Sequence, residues 1–492
     1  MNLAAAFEAT VAADPDRVAI HAEGRALTRR ALRDAIVGKA RMLRDELEVG
    51  LGDRVGYLGL NRSEELVLLF ALARIGAVFV PMNTRLAVGE LVHIADHARL
   101  RVLLTDASHR AIGEAMCAAM ADDAMVLQAI DEPVRFDDGA PVDDVAIAPS
   151  SPLLLVYTSG TTGAAKGAVH THAGMIANAA AAIAAHRMTA DDRVLSVLPL
   201  FHVGGLCIQT VPALLAGASV ILHPRFDAQA WLAAIATMRP TLTLMVPATL
   251  RAAMADPGWA AADLSCLRVL MTGSSVIPRH LIEAVHARGV PVGQIYGSTE
   301  TGPVTVALTS DDARRKPGRA GWPCFDGSLR LIDADGIDVA LGAVGEIAVR
   351  APNLMRGYWG EDDLRGGWFL TGDLGRFDDD GCLEIVGRLR DLIISGGENV
   401  YPAEVEDVLL AIPGIAEAAV IGIPDERWGE VPAAFIVRRD DVDEATVRGA
   451  FVDRIARYKH PKRIVFVDSL PRNAMGKVQA DVLRARVMGA EA

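Results

Sequence analysis

The sequence has few cysteines, and their spacing is typical of neither zinc sites nor disulfide frameworks. The five cysteines are dispersed along 492 residues, odd in number and never arranged as C-x-x-C. Zinc knuckles and disulfide-stabilised domains depend on paired or closely spaced cysteines. The sequence therefore predicts a protein of a reducing compartment, and the cytoplasm is the expected location.

An excess of basic residues is also absent. The chain has 49 Lys and Arg against 62 Asp and Glu, a net charge of −13. Nucleic-acid and anionic-membrane binders rely on a basic surface, so neither partner is expected. The first residues carry acids early and lack a basic region followed by an apolar one, and no signal peptide is predicted.

Long uninterrupted apolar runs are missing as well. Residues 203–222 carry no charge, but Gly204, Gly205, Pro212 and Gly217 interrupt them. This stretch of 20 residues is long enough for a membrane-spanning helix, but such a helix needs a more uniform apolar segment. The stretch therefore predicts a buried helix followed by a buried strand, and no transmembrane segment is expected.

Strand-like and helix-like segments alternate through most of the chain. Residues 54–60 and 78–81 have strand patterns, and residues 63–75 and 88–97 have helix patterns. With 51% hydrophobic residues and this length, the chain predicts an α/β fold of more than one domain with largely parallel sheets.

The pattern changes toward the C-terminus. Asp-Gly pairs at Gly336 and Gly381 predict hairpins, and residues 443–456 predict a helix. The last part of the chain is expected to form a small α+β domain. We place the boundary after Arg388, which gives a large domain over residues 1–388 and a small one over residues 389–492.

An apolar run at residues 153–156 leads into a loop rich in glycine and hydroxyl side chains. Such a loop turns backbone N–H groups toward an anion, and a lysine adds a point charge. The sequence departs from the Walker A pattern, because Ala165 rather than glycine precedes the lysine. A flexible surface loop is the alternative. The predicted phosphate-binding residues are Thr158, Ser159, Gly160, Thr161, Thr162, Gly163 and Lys166.

Several motifs together resemble the adenylate-forming superfamily, in particular its acyl-CoA synthetases. The loop above is one, and the others are Y-G-S-T-E at 296–300, T-G-D at 371–373, residues 387–399 and N-A-M-G-K at 473–477. They occur in the superfamily's order and cover about the whole chain. The resemblance implies a large N-terminal domain of layered α/β sheets with a β-subdomain, and a small mobile C-terminal α+β domain.

The resemblance also implies a two-step reaction with ATP, Mg²⁺ and coenzyme A. A carboxylate attacks the α-phosphate of ATP to give an acyl-adenylate and pyrophosphate, and the thiol of coenzyme A then displaces AMP. Because the acid and ATP are both anions, the protein must hold them together and neutralise charge.

Nucleotide-binding roles follow from the same resemblance. It implies that Tyr296 stacks on adenine, that Thr299 points at the α-phosphate and that Glu300 binds magnesium. Asp373 and Arg388 are the implied ribose contacts. The remaining residues of the predicted ATP site are Gly273, Ser274, Ser275, Gly297 and Ser298.

The C-terminal motifs imply a site that two domains assemble. Lys477 is the implied catalytic lysine, which bridges the substrate carboxylate and the α-phosphate during adenylation. Arg390 occupies the hinge position, where the superfamily usually has Asp or Lys. Ser395, Gly396 and Gly397 are expected to line the tunnel for coenzyme A. A protein acetyltransferase acting on Lys477 is a predicted partner, and a homodimer is an open alternative.

The sequence indicates the identity of the acid substrate less clearly. His202, Val203, Gly204 and Gly205 match the segment that lines the acyl pocket, with His202 near the carboxylate and counted as catalytic. A fatty or an aryl or arylpropenoic acid is expected, and o-succinylbenzoate or malonate and related dicarboxylates are alternatives. Luciferase-type oxidation, transfer to a carrier protein and non-catalytic nucleotide binding also stay open. No G-x-S-x-G or H-E-x-x-H motif occurs, which disfavours serine hydrolases and zinc proteases.

Overall fold

The computed structural model describes residues 1–120, 125–131, 146–159, 165–273, 277–364, 366–452, 454–472 and 478–488. The strands are β1 (Val18–Ala22), β2 (Arg25–Thr28), β3 (Arg54–Leu58), β4 (Val78–Pro81), β5 (Leu100–Thr105), β6 (Val126–Ala129), β7 (Pro152–Ser159), β8 (Ala165–Thr171), β9 (Arg193–Ser196), β10 (Ser219–Leu222), β11 (Leu242–Met245), β12 (Val269–Thr272), β13 (Val292–Tyr296), β14 (Val306–Leu308), β15 (Trp322–Pro323), β16 (Leu329–Ile332), β17 (Gly345–Val349), β18 (Gly357–Tyr358), β19 (Phe369–Phe377), β20 (Leu383–Arg388), β21 (Ile393–Ser395), β22 (Glu398–Val400), β23 (Ile415–Asp425), β24 (Gly429–Arg438) and β25 (Arg463–Phe466).

The helices are α1 (Leu3–Ala13), α2 (Arg29–Arg41), α3 (Ser63–Ile75), α4 (Val88–Ala98), α5 (Arg110–Ala119), α6 (His172–His186), α7 (Val203–Gly205), α8 (Val211–Ala216), α9 (Ala228–Met238), α10 (Pro247–Ala255), α11 (Arg279–Ala287), α12 (Pro402–Leu410), α13 (Glu444–Gly449) and α14 (Ala480–Met488). Contacts divide the chain into two compact units, residues 1–329 with 349–369 and residues 330–348 with 370–492. The predicted division after Arg388 stays a prediction.

The first unit is built on two large sheets. The nine-stranded sheet has the order β15-β14-β13-β12-β11-β9-β10-β1-β2, and the seven-stranded sheet has the order β18-β8-β7-β4-β3-β5-β6. Their inner strands pair in parallel, while β2, β8, β14, β15 and β18 pair antiparallel. The expected α/β class with largely parallel sheets is confirmed.

Apolar residues of both sheets form the core of this unit. Helix α3 is buried on almost every face, and it ends at Gly76, whose positive φ of 75° terminates the helix. The predicted helix over residues 63–75 therefore coincides with α3. A second apolar cluster lies between the seven-stranded sheet and helices α4 and α5, and Leu58, Val80 and Leu103 belong to it.

The uncharged stretch 203–222 folds inside the first unit. It comprises α7, a π-helical turn at Leu206–Thr210, α8 and then β10. Most of its side chains are buried, which confirms the predicted order of buried helix and buried strand. None of the helices in the described part of the chain is long and apolar enough to cross a membrane.

The second unit contains two smaller sheets. One has the order β16-β17-β19-β20, and the other has the order β22-β21-β24-β23 with β25 paired to β24. The predicted hairpin at Gly381 joins β19 to β20. The helix predicted over residues 443–456 is wrong in length, because α13 runs only from Glu444 to Gly449. Glycine has a low helix propensity, which is consistent with an end at Gly449.

Candidate functional site

The antiparallel pair β7–β8 positions the first two site residues. Leu153, Leu154 and Leu155 of β7 are fully buried, so the strand is fixed in the sheet up to its polar end. Thr158 on β7 lies directly opposite Lys166 on β8. Of the predicted phosphate loop, Gly160, Thr161, Thr162 and Gly163 lie outside the described residues, and Ser159 is described only as the last residue of β7.

Residues 296–301 form a tight turn directly after β13. The Ser298 N–H donates to the Thr301 hydroxyl over 2.9 Å, and the Thr301 N–H donates to the Ser298 hydroxyl over 3.2 Å. At Gly297 an added Cβ would lie 2.5 Å from the carbonyl oxygen of Pro303, so only glycine fits. Tyr296 is the last residue of β13, and the turn places Thr299 and Glu300 beyond that end of the strand, where ligands bind in α/β folds.

Two buried asparagines hold this turn against the rest of the unit. The Asn178 amide donates to the carbonyl oxygen of Cys207 over 2.7 Å and accepts from the Val304 N–H over 3.1 Å. Asn353 donates to the carbonyl oxygen of Val304 over 3.2 Å. Sequence reasoning did not select either asparagine, because neither belongs to a recognisable motif.

The Glu300 carboxylate connects three parts of the chain. Its Oε1 accepts from the Thr158 hydroxyl over 3.4 Å and from the Tyr358 hydroxyl over 3.1 Å. Both bonds fall on Oε1, so these two contacts do not use Oε2. Burial and the neighbouring Glu300 raise the pKa of Tyr358 well above its ordinary value, so the phenol stays protonated and donates. The structure thus brings together two predicted residues, Thr158 and Glu300.

Lys166 contacts the same segment of the chain. Its Nζ lies 3.0 Å from Glu361 Oε1 and 4.8 Å from the ring centroid of Tyr358. Tyr358 therefore contacts both the carboxylate and the ammonium of the site. Tyr358 and Glu361 were not predicted. The only local signal was an aromatic pair after Gly357, a pattern equally common in packed cores.

A buried histidine lies behind Glu300. His170 is 3% exposed and sits on β8. Burial lowers the pKa of His170 to about 4, although the Glu300 carboxylate and the Thr299 backbone oppose this shift. The imidazole is therefore neutral at pH 7. Sequence reasoning missed His170 as well.

The segment predicted to line the acyl pocket is mostly apolar. The rings of Phe201 and His202 lie 4.5 Å apart, and Val203 is buried in the core. A Cβ at Gly205 would overlap the carbonyl oxygen of Pro199. Packing against the backbone thus requires glycine at position 205 independently of any ligand. Helix α7 contains Val203, Gly204 and Gly205, and His202 directly precedes it. That these residues bind the substrate acid stays a prediction.

Gly273 follows β12, next to the Y-G-S-T-E turn. An added Cβ would lie 3.0 Å from the carbonyl oxygen of Ile295 on β13. The glycine thus permits close approach of two neighbouring strands. Ser274 and Ser275, predicted with it, lie outside the described residues.

In the second unit, the structure brings together the two predicted ribose contacts. Asp373 on β19 pairs in register with Arg388 on β20, and Asp373 Oδ1 lies 3.1 Å from Arg388 Nε. The Asp373 side chain is only 15% exposed. The Asp373 N–H donates to the Thr371 hydroxyl, which in turn donates to the carbonyl oxygen of Ile347. The pair is thus held rigidly at one end of its sheet.

The predicted coenzyme A residues form a two-residue hairpin. Ser395 pairs with Glu398, and Gly396 and Gly397 have φ values of 62° and 88°. A Cβ at Gly396 would lie 2.5 Å from the Trp428 ring, which explains the first glycine. Arg390 lies in a short 3₁₀ turn and is exposed, while Lys477 lies outside the described residues.

Family models match both parts of the chain. The AMP-binding enzyme model matches residues 7–359, and the AMP-binding enzyme C-terminal domain model matches residues 404–477. The first match alone covers more than half of the chain. The chain belongs to the AMP-binding enzyme family. The predicted membership of the adenylate-forming superfamily is therefore confirmed.

Relatives of this AMP-binding enzyme are acid–CoA ligases. It is 48% identical to indoleacetate–CoA ligase of Aromatoleum aromaticum, with 88% of each chain covered. It is 40% identical to feruloyl-CoA synthase of an Amycolatopsis species, with 96% of each covered. ATP-bound MatB from Rhodopseudomonas palustris has 31% identity, a TM-score of 0.90 and complete coverage of both chains. The predicted fold class and the predicted class of enzyme, an AMP-forming acid–CoA ligase, are confirmed.

Proposed function

We propose that the cluster of Thr158, Lys166, Glu300 and Tyr358 is the phosphate end of the adenylation site. The observation that carries this proposal is the shared contact of Tyr358 with an acid and a base. A lysine ammonium and a loop rich in N–H and hydroxyl donors suit the β- and γ-phosphates of ATP. Lys166 then exchanges its Glu361 partner for phosphate oxygens when ATP binds.

Magnesium fits the Glu300 carboxylate. Oε1 is held by two hydroxyl groups, and Oε2 is the oxygen that these contacts do not use. Magnesium in phosphate-transfer sites is held by one or two carboxylates together with phosphate oxygens. When bound, Mg²⁺ offsets the negative charge of the phosphates. One relative by structure, o-succinylbenzoate–CoA synthetase from Bacillus subtilis, is known in complex with ATP and a magnesium ion.

We further propose that the ribose of ATP binds Asp373 and Arg388, and that the substrate carboxylate and the α-phosphate meet Lys477. The carboxylate oxygen bonds to the α-phosphorus as the bond to pyrophosphate breaks. A lysine between two anions lowers their repulsion as they approach. In the second step the coenzyme A sulfur bonds to the acyl carbon as the bond to AMP breaks, and rotation at Arg390 brings Gly396 and Gly397 to the site.

Single-turnover kinetics of each half-reaction test this division of labour. Lys477→Ala should slow adenylation roughly 10²–10³-fold, as expected for loss of one preorganised electrostatic group. Given synthetic acyl-adenylate, the same variant should form thioester at a near-normal rate. Arg390→Pro should show the reverse, because a fixed φ hinders rotation. Equal losses of both steps in both variants would show that one fixed arrangement performs both reactions.

The proposed acid is aromatic, an arylacetic or arylpropenoic acid. Two observations support this: the predicted acyl segment carries Phe201 beside His202, and the relatives at 48% and 40% identity are named for indoleacetate and ferulate. A planar ring gains most from apolar and aromatic walls.

A panel of acids assayed for coenzyme A-dependent AMP formation tests the substrate class. Indole-3-acetate, phenylacetate and ferulate are compared with decanoate, malonate and o-succinylbenzoate. We expect kcat/KM for the best aromatic monoacid to exceed that for decanoate and malonate by at least about 10²-fold. A preference for decanoate or for a dicarboxylate would reject the aromatic proposal while leaving the ligase class intact.

Three further proposals concern location, oligomeric state and modification. The protein is proposed to lie in the cytoplasm, and a homodimer is one alternative for its oligomeric state. Lys477 is proposed as the target of a protein acetyltransferase. Acetylation removes the ammonium charge that adenylation needs. Stoichiometric acetylation of Lys477 that left adenylation unchanged would contradict both the regulation and the catalytic role.

A further inference from the structure

The first unit has a cavity that borders the Glu300 cluster, because Tyr358 and Glu361 line it together with residues that have no part in the proposed reaction. Its volume is about 470 Å³, which lies within the usual range for small-molecule sites. Arg54 at the start of β3, His97 and Arg99 at the end of α4, and Trp359 after β18 contribute to its walls. We call it the Arg54 pocket.

Arg54 is fixed in this pocket without a counter-charge. Its Nε and Nη2 donate to the carbonyl oxygens of Ala98 and Arg99, both over 2.7 Å, and Nη1 donates to that of Gly52 over 2.9 Å. Carbonyl oxygens orient a guanidinium but do not neutralise it. Among the residues that the structure describes, no carboxylate lies within 4 Å of Arg54.

A second guanidinium adds to this charge. The Arg99 side chain makes no hydrogen bond or ion pair with the described part of the chain, and it lines the same cavity. Burial and the neighbouring Arg99 both lower the pKa of Arg54, while Asp53 opposes the shift. Asp53 itself accepts from the Gly50 N–H and lies 3.8 Å from Arg101.

The acids in the wall already have partners. Glu361 pairs with Lys166 over 3.0 Å, and Asp363 pairs with Arg356 over 2.7 Å. Two positive charges, those of Arg54 and Arg99, are therefore left without a carboxylate in the described part of the pocket. A dianion matches this charge, and guanidinium groups bind phosphate oxygens in a bidentate manner.

Apolar surface completes the cavity. The Trp359 ring lies 5.6 Å from the Arg54 guanidinium, and Pro152 and Val169 lie in the same wall. A bare phosphate would leave this surface unused. We propose that the Arg54 pocket binds a phosphate monoester of a small organic molecule, with the phosphoryl group at Arg54 and Arg99 and the organic part against Trp359. The pocket borders the proposed phosphate end of the adenylation site through Tyr358 and Glu361, but none of the predicted phosphate-binding residues that the structure describes lines it, and the proposal does not depend on the proposed acid.

Binding of 4-nitrophenyl phosphate to the full chain tests the proposal. It is measured by calorimetry and by quenching of tryptophan emission, with inorganic phosphate, 4-nitrobenzoate and 4-nitrophenol as comparison probes. We expect the ester to bind at least about tenfold more tightly than each comparison probe, since only the ester combines a phosphoryl dianion with an aromatic ring. Saturating ATP should weaken this binding without abolishing it, because ATP draws Lys166 away from Glu361, whose carboxylate lines the Arg54 pocket.

Arg99→Ala is the decisive variant, because the Arg99 side chain makes no hydrogen bond or ion pair with the described residues whose loss would disturb folding. It should weaken ester binding at least about tenfold and leave ATP-dependent pyrophosphate release unchanged. Arg279→Ala, which removes an exposed arginine on α11, is the matched control. Trp359→Phe should abolish the fluorescence change while calorimetry still detects binding. Unchanged affinity in Arg99→Ala, or complete displacement of the ester by ATP, would overturn the proposal.

Discussion

The Glu300 cluster and residues 201–205 lie in the same unit but are held by opposite means. Glu300 is tied to Thr158 and Tyr358 by hydrogen bonds, and Lys166 is tied to Glu361 by an ion pair. Residues 201–205 are held by ring contacts and by close backbone packing at Gly205. Charged, directional contacts suit a region that every substrate of the family shares. Apolar packing suits a region whose shape selects one acid.

The largest expected effect comes from removing the negative charge of Glu300. Glu300→Gln should slow adenylation roughly 10²–10³-fold, because the amide cannot balance the charge of a bound cation. The loss should be similar for every accepted acid, as measured by pyrophosphate release across the acid panel. If Glu300→Gln changed the ranking of the acids by adenylation rate but used ATP normally, Glu300 would belong to the acyl pocket and not to the ATP site.

A fall in pH should lower the free energy of unfolding, because His170 is buried beside Glu300. The pKa of His170 is about 4 in the folded chain against 6.5 for a free histidine, so the unfolded chain gains a proton first as pH falls. His170 therefore contributes stability above pH 6.5 that is lost as pH falls toward 4, with a total of about 3 kcal/mol.

Urea unfolding between pH 7 and pH 4 measures this loss. His170→Asn should reduce the slope of the unfolding free energy with pH by up to about 1.4 kcal/mol per pH unit. His172 and His186, whose pKa values burial also lowers to about 4, account for part of the remaining slope. His93→Asn, at an exposed position on α4, is the control. An identical slope in His170→Asn and the unsubstituted chain would contradict the assignment.

Some elements could be predicted from the sequence because their residue types restrict the backbone. The strand before residue 160 and the helix over residues 63–75 were predicted, and β7 and α3 confirm them. The glycines and hydroxyls around residue 160 indicated an anion loop, and this stays a prediction because residues 160–164 lie outside the described part of the chain. Tyr358 and Glu361 could not be predicted. Their roles arise from the pairing of β18 with β8, which places Glu361 beside Lys166, 195 residues away in sequence.

The apolar region shows the other limit of sequence reasoning. Gly205 was predicted to line the acyl pocket, and the structure shows that its packing against Pro199 already requires a glycine there. A sequence pattern records that a residue is small but does not record what occupies the space beside it. Charged groups are easier to assign, since a buried charge needs a partner and the set of partners is short.

A substitution at Gly205 should destabilise residues 201–205 by disrupting their close packing. Gly205→Ala places a methyl group against the carbonyl oxygen of Pro199, so the free energy of unfolding should fall by about 1–3 kcal/mol. Urea unfolding measures this effect. Gly89→Ala on α4 is the matched control, because its Cβ would meet open space. If the two variants were equally stable, the close packing at Gly205 would be incorrect.

The smallest expected effect comes from a change at Tyr358, which contacts both the Glu300 carboxylate and the Lys166 ammonium. Tyr358→Phe removes the hydroxyl that donates to Glu300 but keeps the ring beside Lys166. Loss of one hydrogen bond to a charged group should raise the KM for Mg-ATP about tenfold while changing kcat less. The shift in KM should be equal for all acids and should lessen at high magnesium concentration, because Tyr358 acts by positioning Glu300.

Tyr458→Phe in the second unit removes a more exposed phenol and serves as the control. A shift that differed from one acid to another would mean that Tyr358 contacts the acyl group, and the division between a shared polar region and a selective apolar one would have to be redrawn.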